Sequence, residues 1–180
     1  MTPSAEEPGY SLPLLWRDSW KDIWRDSPLR LVGYSNEVGE AFRPLISRTA
    51  VHGSYALAFA YVIGDAADKA SKAGQKAKAQ GEPPALQMLT TAADVISWQT
   101  IASVAVPGMI INRVVALAGF AFRRAGRPPG WGPTFIGLAT VPLIVKPIDH
   151  ATDLLLDMTL RPAIEQFHQR RQASSKLKER

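Results

Sequence analysis

Residues 95–122 have the sequence VISWQTIASVAVPGMIINRVVALAGFAF, and this apolar stretch decides the class of fold. It contains a single charged residue, Arg113, and it is long enough to cross a bilayer with some tilt. Two shorter uncharged runs, residues 49–64 and 128–145, lie on either side of it in the chain. An 18-residue helix is about 27 Å long, just short of the ~30 Å hydrocarbon core, so the shorter runs are marginal membrane spans.

A soluble helical bundle remains an alternative, because buried core helices are also short and apolar. The mean hydropathy of -0.06 does not decide between the two, since long polar segments dilute the apolar runs. No stretch alternates between apolar and polar residues as a half-buried strand does. We therefore predict an all-α, integral membrane helical bundle with about three short spans and with polar or amphipathic flanking helices. Residues 146–160 would add a fourth membrane element if they re-enter.

The chain divides into a Trp-rich N-terminal extension (1–27), a membrane helical domain (28–164) and a basic C-terminal tail (165–180). In the extension, the tetrapeptides WRDS, WKDI and WRDS follow one another from residue 16 to residue 27. A four-residue period keeps Trp16, Trp20 and Trp24 on one side of a helix. Tryptophan favours the membrane interface, which makes these three residues candidate lipid-interface contacts. The alternative is packing against protein, since the aspartates of the repeat cancel its positive charge.

The charge and composition restrict the partners and the chemistry. The net charge of +5 and the basic residues of the tail suit an anionic lipid surface, although a solvated tail is the alternative. No nucleic-acid motif accompanies the charge, so we expect no nucleic-acid partner. The absence of cysteine excludes disulfides and thiolate metal sites. Residues 1–10 lack the features of a secretory signal and of an Arg-rich presequence, so any organelle address would have to be internal.

No motif predicts an enzyme, a cofactor or a metal site. The three histidines lack metalloprotease spacing, and neither a nucleophile elbow nor a phosphate-binding loop is present. Asp149, Asp153 and Asp157 recur every four residues, which places three carboxylates on one helical side. They could bind a divalent cation, but calcium normally needs six to eight oxygen ligands, and a solvated polar face is the simpler interpretation.

Arg113 follows Asn112 in the middle of the longest apolar run. It would pair across a bundle with a carboxylate such as Asp65, Asp94 or Asp149, or it would mark a membrane boundary and extend toward the headgroups.

Several strings of the sequence resemble one known family. They are GYSNEVGEAFR at 33–43, DAADK at 65–69, WQ at 98–99, ASVAVPG at 102–108, INRV at 111–114 and PID at 147–149. In their order and spacing they are similar to the mitochondrial fission process protein 1 family, from about residue 24 to residue 164. The tryptophan repeat before Trp24 and the tail after Ile164 depart from the family pattern, as does Lys146.

The resemblance implies a multi-pass protein of the mitochondrial inner membrane that promotes mitochondrial fission and inner-membrane integrity without enzymatic activity. Its expected partners are anionic membrane lipid and inner-membrane protein complexes. The family offers no catalytic residues, so the positions that match its motifs are candidate helix or partner contacts: Asn36, Glu37, Trp98, Asn112, Arg113 and Asp149. A different class of function, a structural accessory subunit of a respiratory-chain or ATP synthase assembly, suits the size and basicity equally well.

Overall fold

The described part of the chain, in a computed structural model, comprises Trp24 and residues 28–178, and it is helical without any strand. The elements are α1 (Arg30–Gly33), α2 (Ser35–Ala41), α3 (Arg48–Ala79), α4 (Pro84–Gln99), a π-helical segment (Thr100–Ala105), α5 (Val106–Arg124), α6 (Gly132–Met158) and α7 (Leu160–Lys178). The all-α prediction is confirmed for these residues.

Helices α3 and α4 form an antiparallel hairpin. Ser47 starts α3 by accepting a hydrogen bond from the Ala50 N–H on its side-chain oxygen. Gly81, with φ of 73°, lies in the turn, where a residue with a side chain would be strained. Pro84 then opens α4, at a helix position whose N–H has no intrahelical partner in any case.

The chain runs without a break from α4 through the π-helical segment into α5. Pro107 has no N–H to offer the carbonyl four residues earlier, and its ring would collide with that carbonyl in a regular α-helix. The helix widens just before this proline, and the Val106 N–H donates to the Ile101 carbonyl five residues earlier. Pro84–Arg124 therefore forms one continuous helix of 41 residues.

This continuous helix is the one helix, among those described, that is long and apolar enough to cross a membrane. Residues 49–64 lie in α3 and residues 132–145 lie in α6, and neither helix meets the same criterion. The sequence prediction of three spans is thus not confirmed. Residues 146–158 continue α6 past its internal prolines Pro142 and Pro147, and the helix ends only at Thr159.

Short helices α1 and α2 lie inside the bundle, where α2 contacts α3, α5 and α6. Close approach requires small residues at these crossings. A Cβ added at Gly39 would lie 1.9 Å from the Ser54 hydroxyl oxygen, and one at Gly137 would lie 2.7 Å from a methyl carbon of Val115. Ala41, Ile111 and Val115 form the apolar core around α2, supported by Leu138, Val141 and Ile144.

The bundle has an apolar half and a polar half. The apolar half contains the first parts of α3 and α6 together with α5, which meet at the pairs Tyr55–Gly108 and Val115–Gly137. The polar half contains the end of α3, the start of α4 and helix α7. Its helices meet at Gly74–Met88 and, through a hydrogen bond, at Thr90–His168. All three apolar runs of the sequence therefore lie in the same half of the molecule.

Candidate functional site

Several polar and charged side chains of this protein are buried inside the bundle. The first cluster surrounds Glu40 on α2, whose side chain is 2% exposed. Arg43 donates two hydrogen bonds of 2.6 Å to its carboxylate, while Tyr55 and Asn112 donate one each, at 3.0 and 2.9 Å. Burial alone would raise the pKa of Glu40, but the hydrogen bonds from Arg43, Asn112 and Tyr55 outweigh it and lower the pKa. The cluster joins α2 to α3 and α5.

Asn36 and Glu37, one turn earlier on α2, are both buried. The Asn36 amide donates to the Val104 carbonyl at 3.1 Å, which ties α2 to the π-helical segment. The Glu37 Oε2 atom is buried and accepts no hydrogen bond from the described residues, and the same holds for the Asn36 Oδ1 atom. Burial raises the pKa of Glu37 to about 7. Its carboxyl group therefore changes charge near neutral pH.

Arg161, at the start of α7, is the centre of the second cluster. Its guanidinium donates to Asp94 at 3.1 Å, to Asp157 at 2.6 Å and to Asp153 at 3.1 Å. The Arg161 and Asp94 side chains are 6% and 7% exposed, whereas those of Asp153 and Asp157 are about half exposed. Burial alone would lower the pKa of Arg161, but its hydrogen bonds to the carboxylates raise it. The Trp98 indole N–H also donates to Asp153, at 3.0 Å.

A third group of polar residues connects α3 to the π-helical segment. Lys69 pairs with Asp65 at 2.7 Å, and both side chains are buried. The Gln99 amide donates to Asp65 at 2.6 Å, and the Ser103 hydroxyl donates to the Gln99 amide oxygen at 2.9 Å. The result is a chain of hydrogen bonds from α3 to the widened part of the long helix.

A cavity of about 440 Å³ lies between these groups. Helices α1, α2, α3, α4, α6 and α7 and the π-helical segment all contribute to its wall, which includes three aromatic residues: Tyr34, Tyr61 and Trp98. Its charged lining residues are Arg30, Glu37, Asp149, Asp153, Asp157 and Arg161. Within the described ranges no group of three or more histidine or acidic side chains could hold a metal ion. Asp153 and Asp157 of the predicted carboxylate series pair with Arg161 instead.

Five of the six predicted contact residues lie at these interior sites. Asn36 and Glu37 are neighbours on α2, Asn112 binds Glu40, Trp98 binds Asp153, and Asp149 lines the cavity. Arg113 is exposed on α5, and two of the carboxylates considered as its partners bind other residues, since Asp65 pairs with Lys69 and Asp94 with Arg161. That interpretation of Arg113 is therefore wrong for these two carboxylates.

Trp24 packs edge-to-face on Tyr61, with ring centroids 5.3 Å apart, and its carbonyl accepts a 2.5 Å hydrogen bond from the Tyr61 hydroxyl. Its role at a lipid interface stays a prediction, while Trp16 and Trp20 lie outside the described residues.

Sequence reasoning missed Glu40 and Arg161 as the centres of their clusters. Each of them has a partner close in the sequence, Arg43 three residues after Glu40 and Asp157 four residues before Arg161. This spacing is the local signal that points to both pairs. The distant partners Asn112 and Asp94 carry no such signal.

Comparison with known proteins gives consistent results. The model of the family described as Mitochondrial 18 KDa protein (MTP18) matches residues 21–156. A Danio rerio protein named Mitochondrial fission process protein 1 is 47% identical over 167 residues, covering 89% of this chain and 94% of that protein. Proteins of the same name from Homo sapiens and Caenorhabditis elegans are 42% and 40% identical, covering 81% and 78% of this chain and 89% and 87% of their own lengths. No solved structure matches this chain significantly. This chain belongs to the Mitochondrial 18 KDa protein family.

Proposed function

We propose that this protein is a non-enzymatic, multi-pass protein of the mitochondrial inner membrane that promotes mitochondrial fission and helps to maintain inner-membrane integrity. The relatives with 40–47% identity carry mitochondrial fission in their names, which supports the process. The membrane location rests on one observation, the distribution of polar and apolar side chains in the bundle.

This distribution differs from that in a water-soluble bundle, because charged side chains are buried while large apolar side chains are exposed. The buried side chains include Glu40, Asp65, Lys69, Asp94 and Arg161, together with Asn36 and Glu37. Charged residues are almost never fully buried in soluble proteins unless they are paired, and large apolar residues normally fill the core. Here the apolar half instead exposes large side chains. Leu57, Ile63, Leu117, Phe120, Phe135 and Leu143 are each at least half exposed. Ionisable residues inside and apolar residues outside are what a lipid environment favours.

This arrangement supports a proposal of three spans. The first parts of α3 and α6 lie beside the long helix in the apolar half, so one layer of lipid would cover all three. An apolar run of 16 residues is about 24 Å long, so a local thinning of the bilayer or an extension of flanking side chains accommodates it. Arg113 on α5 would direct its guanidinium toward the headgroups on the side of Arg123 and Arg124.

The polar half then projects from the membrane and provides the regulatory surface. Helix α7 presents Arg170 and Arg171 to solvent at the end of the chain. Anionic lipid such as cardiolipin would attract this basic segment and the tryptophan repeat, by about 1 kcal/mol per basic residue near the surface. Inner-membrane protein complexes are the second class of partner on the same surface.

Two experiments test this proposal. Overexpression in cultured cells should fragment the mitochondrial network, and depletion should elongate it; an unchanged network under both conditions would contradict the role in fission. Deletion of residues 1–27 should weaken the binding of purified protein to cardiolipin-containing liposomes. Unchanged binding would remove lipid attraction by the repeat from the proposal.

The alternative function, a structural accessory subunit of a respiratory-chain or ATP synthase assembly, has no support in the fold or in the relatives' names. Blue-native electrophoresis separates the two. Comigration with a large respiratory complex would favour the alternative, whereas migration apart from such complexes agrees with the fission role.

A further inference from the structure

The proposed role in fission leaves the 440 Å³ cavity unused, although its size lies in the range of about 300–1,000 Å³ typical of small-molecule sites. Its wall includes Ala102 and Ser103 of the π-helical segment. Single π-helical turns inside α-helices are frequent at functional sites, because the widening exposes backbone and side-chain groups that a regular helix would cover. The cavity therefore lies where the long helix departs from regular geometry.

The charges of the wall favour a cation. Four acidic side chains, those of Glu37, Asp149, Asp153 and Asp157, line the cavity together with only two guanidinium groups. Both guanidinium groups already bind protein atoms: Arg161 binds Asp153 and Asp157, and Arg30 donates to the Tyr34 hydroxyl at 2.9 Å. An anionic ligand would compete with these contacts, whereas a cation would find an excess of negative charge.

Glu37 shows which kind of cation fits. Its side chain is 1% exposed, it lines the cavity, and its Oε2 atom accepts no hydrogen bond from the described residues. A buried acceptor without a donor destabilises a fold by about 1–3 kcal/mol, and more when it is charged. A ligand that donates an N–H to this carboxylate would remove that penalty.

We propose that the cavity binds a small organic cation bearing a primary ammonium group, with Glu37 accepting a hydrogen bond from that group. A primary ammonium carries three donors, whereas a quaternary ammonium has none to offer Glu37. The described residues contain no group suited to a metal ion. The aromatic residues Tyr34, Tyr61 and Trp98 of the wall suit the aliphatic part of an amine. A primary ammonium group occurs both in free amines and in the ethanolamine headgroup of a lipid.

Calorimetric titration of the full-length protein in phosphatidylcholine nanodiscs tests the site. The probes are spermidine and ethanolamine, with choline as a cation of similar size that lacks N–H donors and inorganic phosphate as the anion. We expect saturable binding of at least one primary amine, with choline and phosphate at least tenfold weaker. Repeating the titration with phosphatidylethanolamine in the nanodiscs separates the two sources. A loss of apparent amine affinity there identifies the lipid headgroup as the ligand, and unchanged affinity identifies a free amine.

The matched variants are Glu37→Gln, which keeps the shape of the side chain and removes its charge, and Glu82→Gln, the same change in the exposed turn after α3. Glu37→Gln should weaken amine binding at least tenfold while the helical circular dichroism is unchanged, and Glu82→Gln should bind like the unaltered protein. Absence of saturable amine binding, equal binding of choline, or full binding by a folded Glu37→Gln protein would each overturn the proposal. None of these results bears on mitochondrial fission, because the site is inferred from the cavity alone.

Discussion

Replacing Arg161 with methionine should destabilise the protein strongly, because the change leaves the Asp94 carboxylate buried without its partner. The two side chains are 6% and 7% exposed, and they join α4 to the start of α7. Removing one member of a buried ion pair typically destabilises a protein by about 3–5 kcal/mol. For a chain of this length, each kcal/mol lowers the melting temperature by about 2–4 °C, so the expected fall is on the order of 10 °C.

Thermal unfolding of the purified protein in detergent, followed by circular dichroism, measures this effect. The control is Lys72→Met, which removes an ion pair of similar length, 2.7 Å to Asp68, whose side chains are 53% and 32% exposed. Exposed pairs contribute at most about 1 kcal/mol, so this variant should melt within about 4 °C of the unaltered protein.

A double variant distinguishes the destabilisation caused by an unpaired buried charge from that caused by lost side-chain packing. When Asp94→Asn accompanies Arg161→Met, no buried carboxylate is left without a cation, while Asp153 and Asp157 remain half exposed to water. The double variant should therefore be more stable than Arg161→Met alone. Equal melting temperatures for the two, or a fall no larger than that of Lys72→Met, would refute the conclusion that this ion pair is buried.

Three further predictions concern α2 and the helices around it. Because burial raises the pKa of Glu37 from 4.5 to about 7, the folded protein retains a proton that the unfolded chain releases. Its free energy of unfolding should thus fall by about 3 kcal/mol as the pH rises from 4.5 to 7, and melting curves of Glu37→Gln should lack this component. Gly39→Ala should lower the melting temperature, since its Cβ has no room. Gly53→Ala, whose Cβ would meet no neighbouring element within 4 Å, should raise the melting temperature, because alanine stabilises a helix by up to about 1 kcal/mol relative to glycine. Asn112→Ala should cost about 1.5–3 kcal/mol in a urea titration through its lost hydrogen bond to the charged Glu40; a midpoint equal to that of the unaltered protein would exclude a structural role for this bond.

The periodicity of the sequence was sufficient to predict the class of fold and the positions of the apolar helices. Residues 95–122 lie in one continuous helix because apolar residues persist through Pro107, and the π-helical segment accommodates this proline without a break. Residues 128–145 were predicted as one apolar span, whereas α6 begins at Gly132 and continues to Met158. Packing of Ile148, Thr152 and Leu156, all buried, holds the helix together beyond its second proline.

The interior clusters could be predicted only in part. Local spacing indicates pairs such as Glu40–Arg43, but the partners Asn112 and Asp94 are 72 and 67 residues away from Glu40 and Arg161. Such pairs depend on how the helices cross, and the crossing depends on close contacts at glycines that a hydropathy pattern does not distinguish from other small residues. The resemblance to a family identified Asn36, Glu37 and Trp98 without indicating their partners. The cavity is formed by six helices and the π-helical segment, so no single stretch of the sequence carries a signal for it.

Alkaline carbonate extraction of isolated mitochondria, followed by protease protection with a tag at each end of the protein, tests the central claim most directly. A bundle with apolar side chains outside and ion pairs inside should stay in the membrane pellet at high pH. With three spans its two tags should lie on opposite sides of the inner membrane, so that one is digested once the outer membrane is opened and the other only after the inner membrane is opened. Release of the protein into the supernatant would contradict the account, because the apolar half would then be covered by something other than lipid.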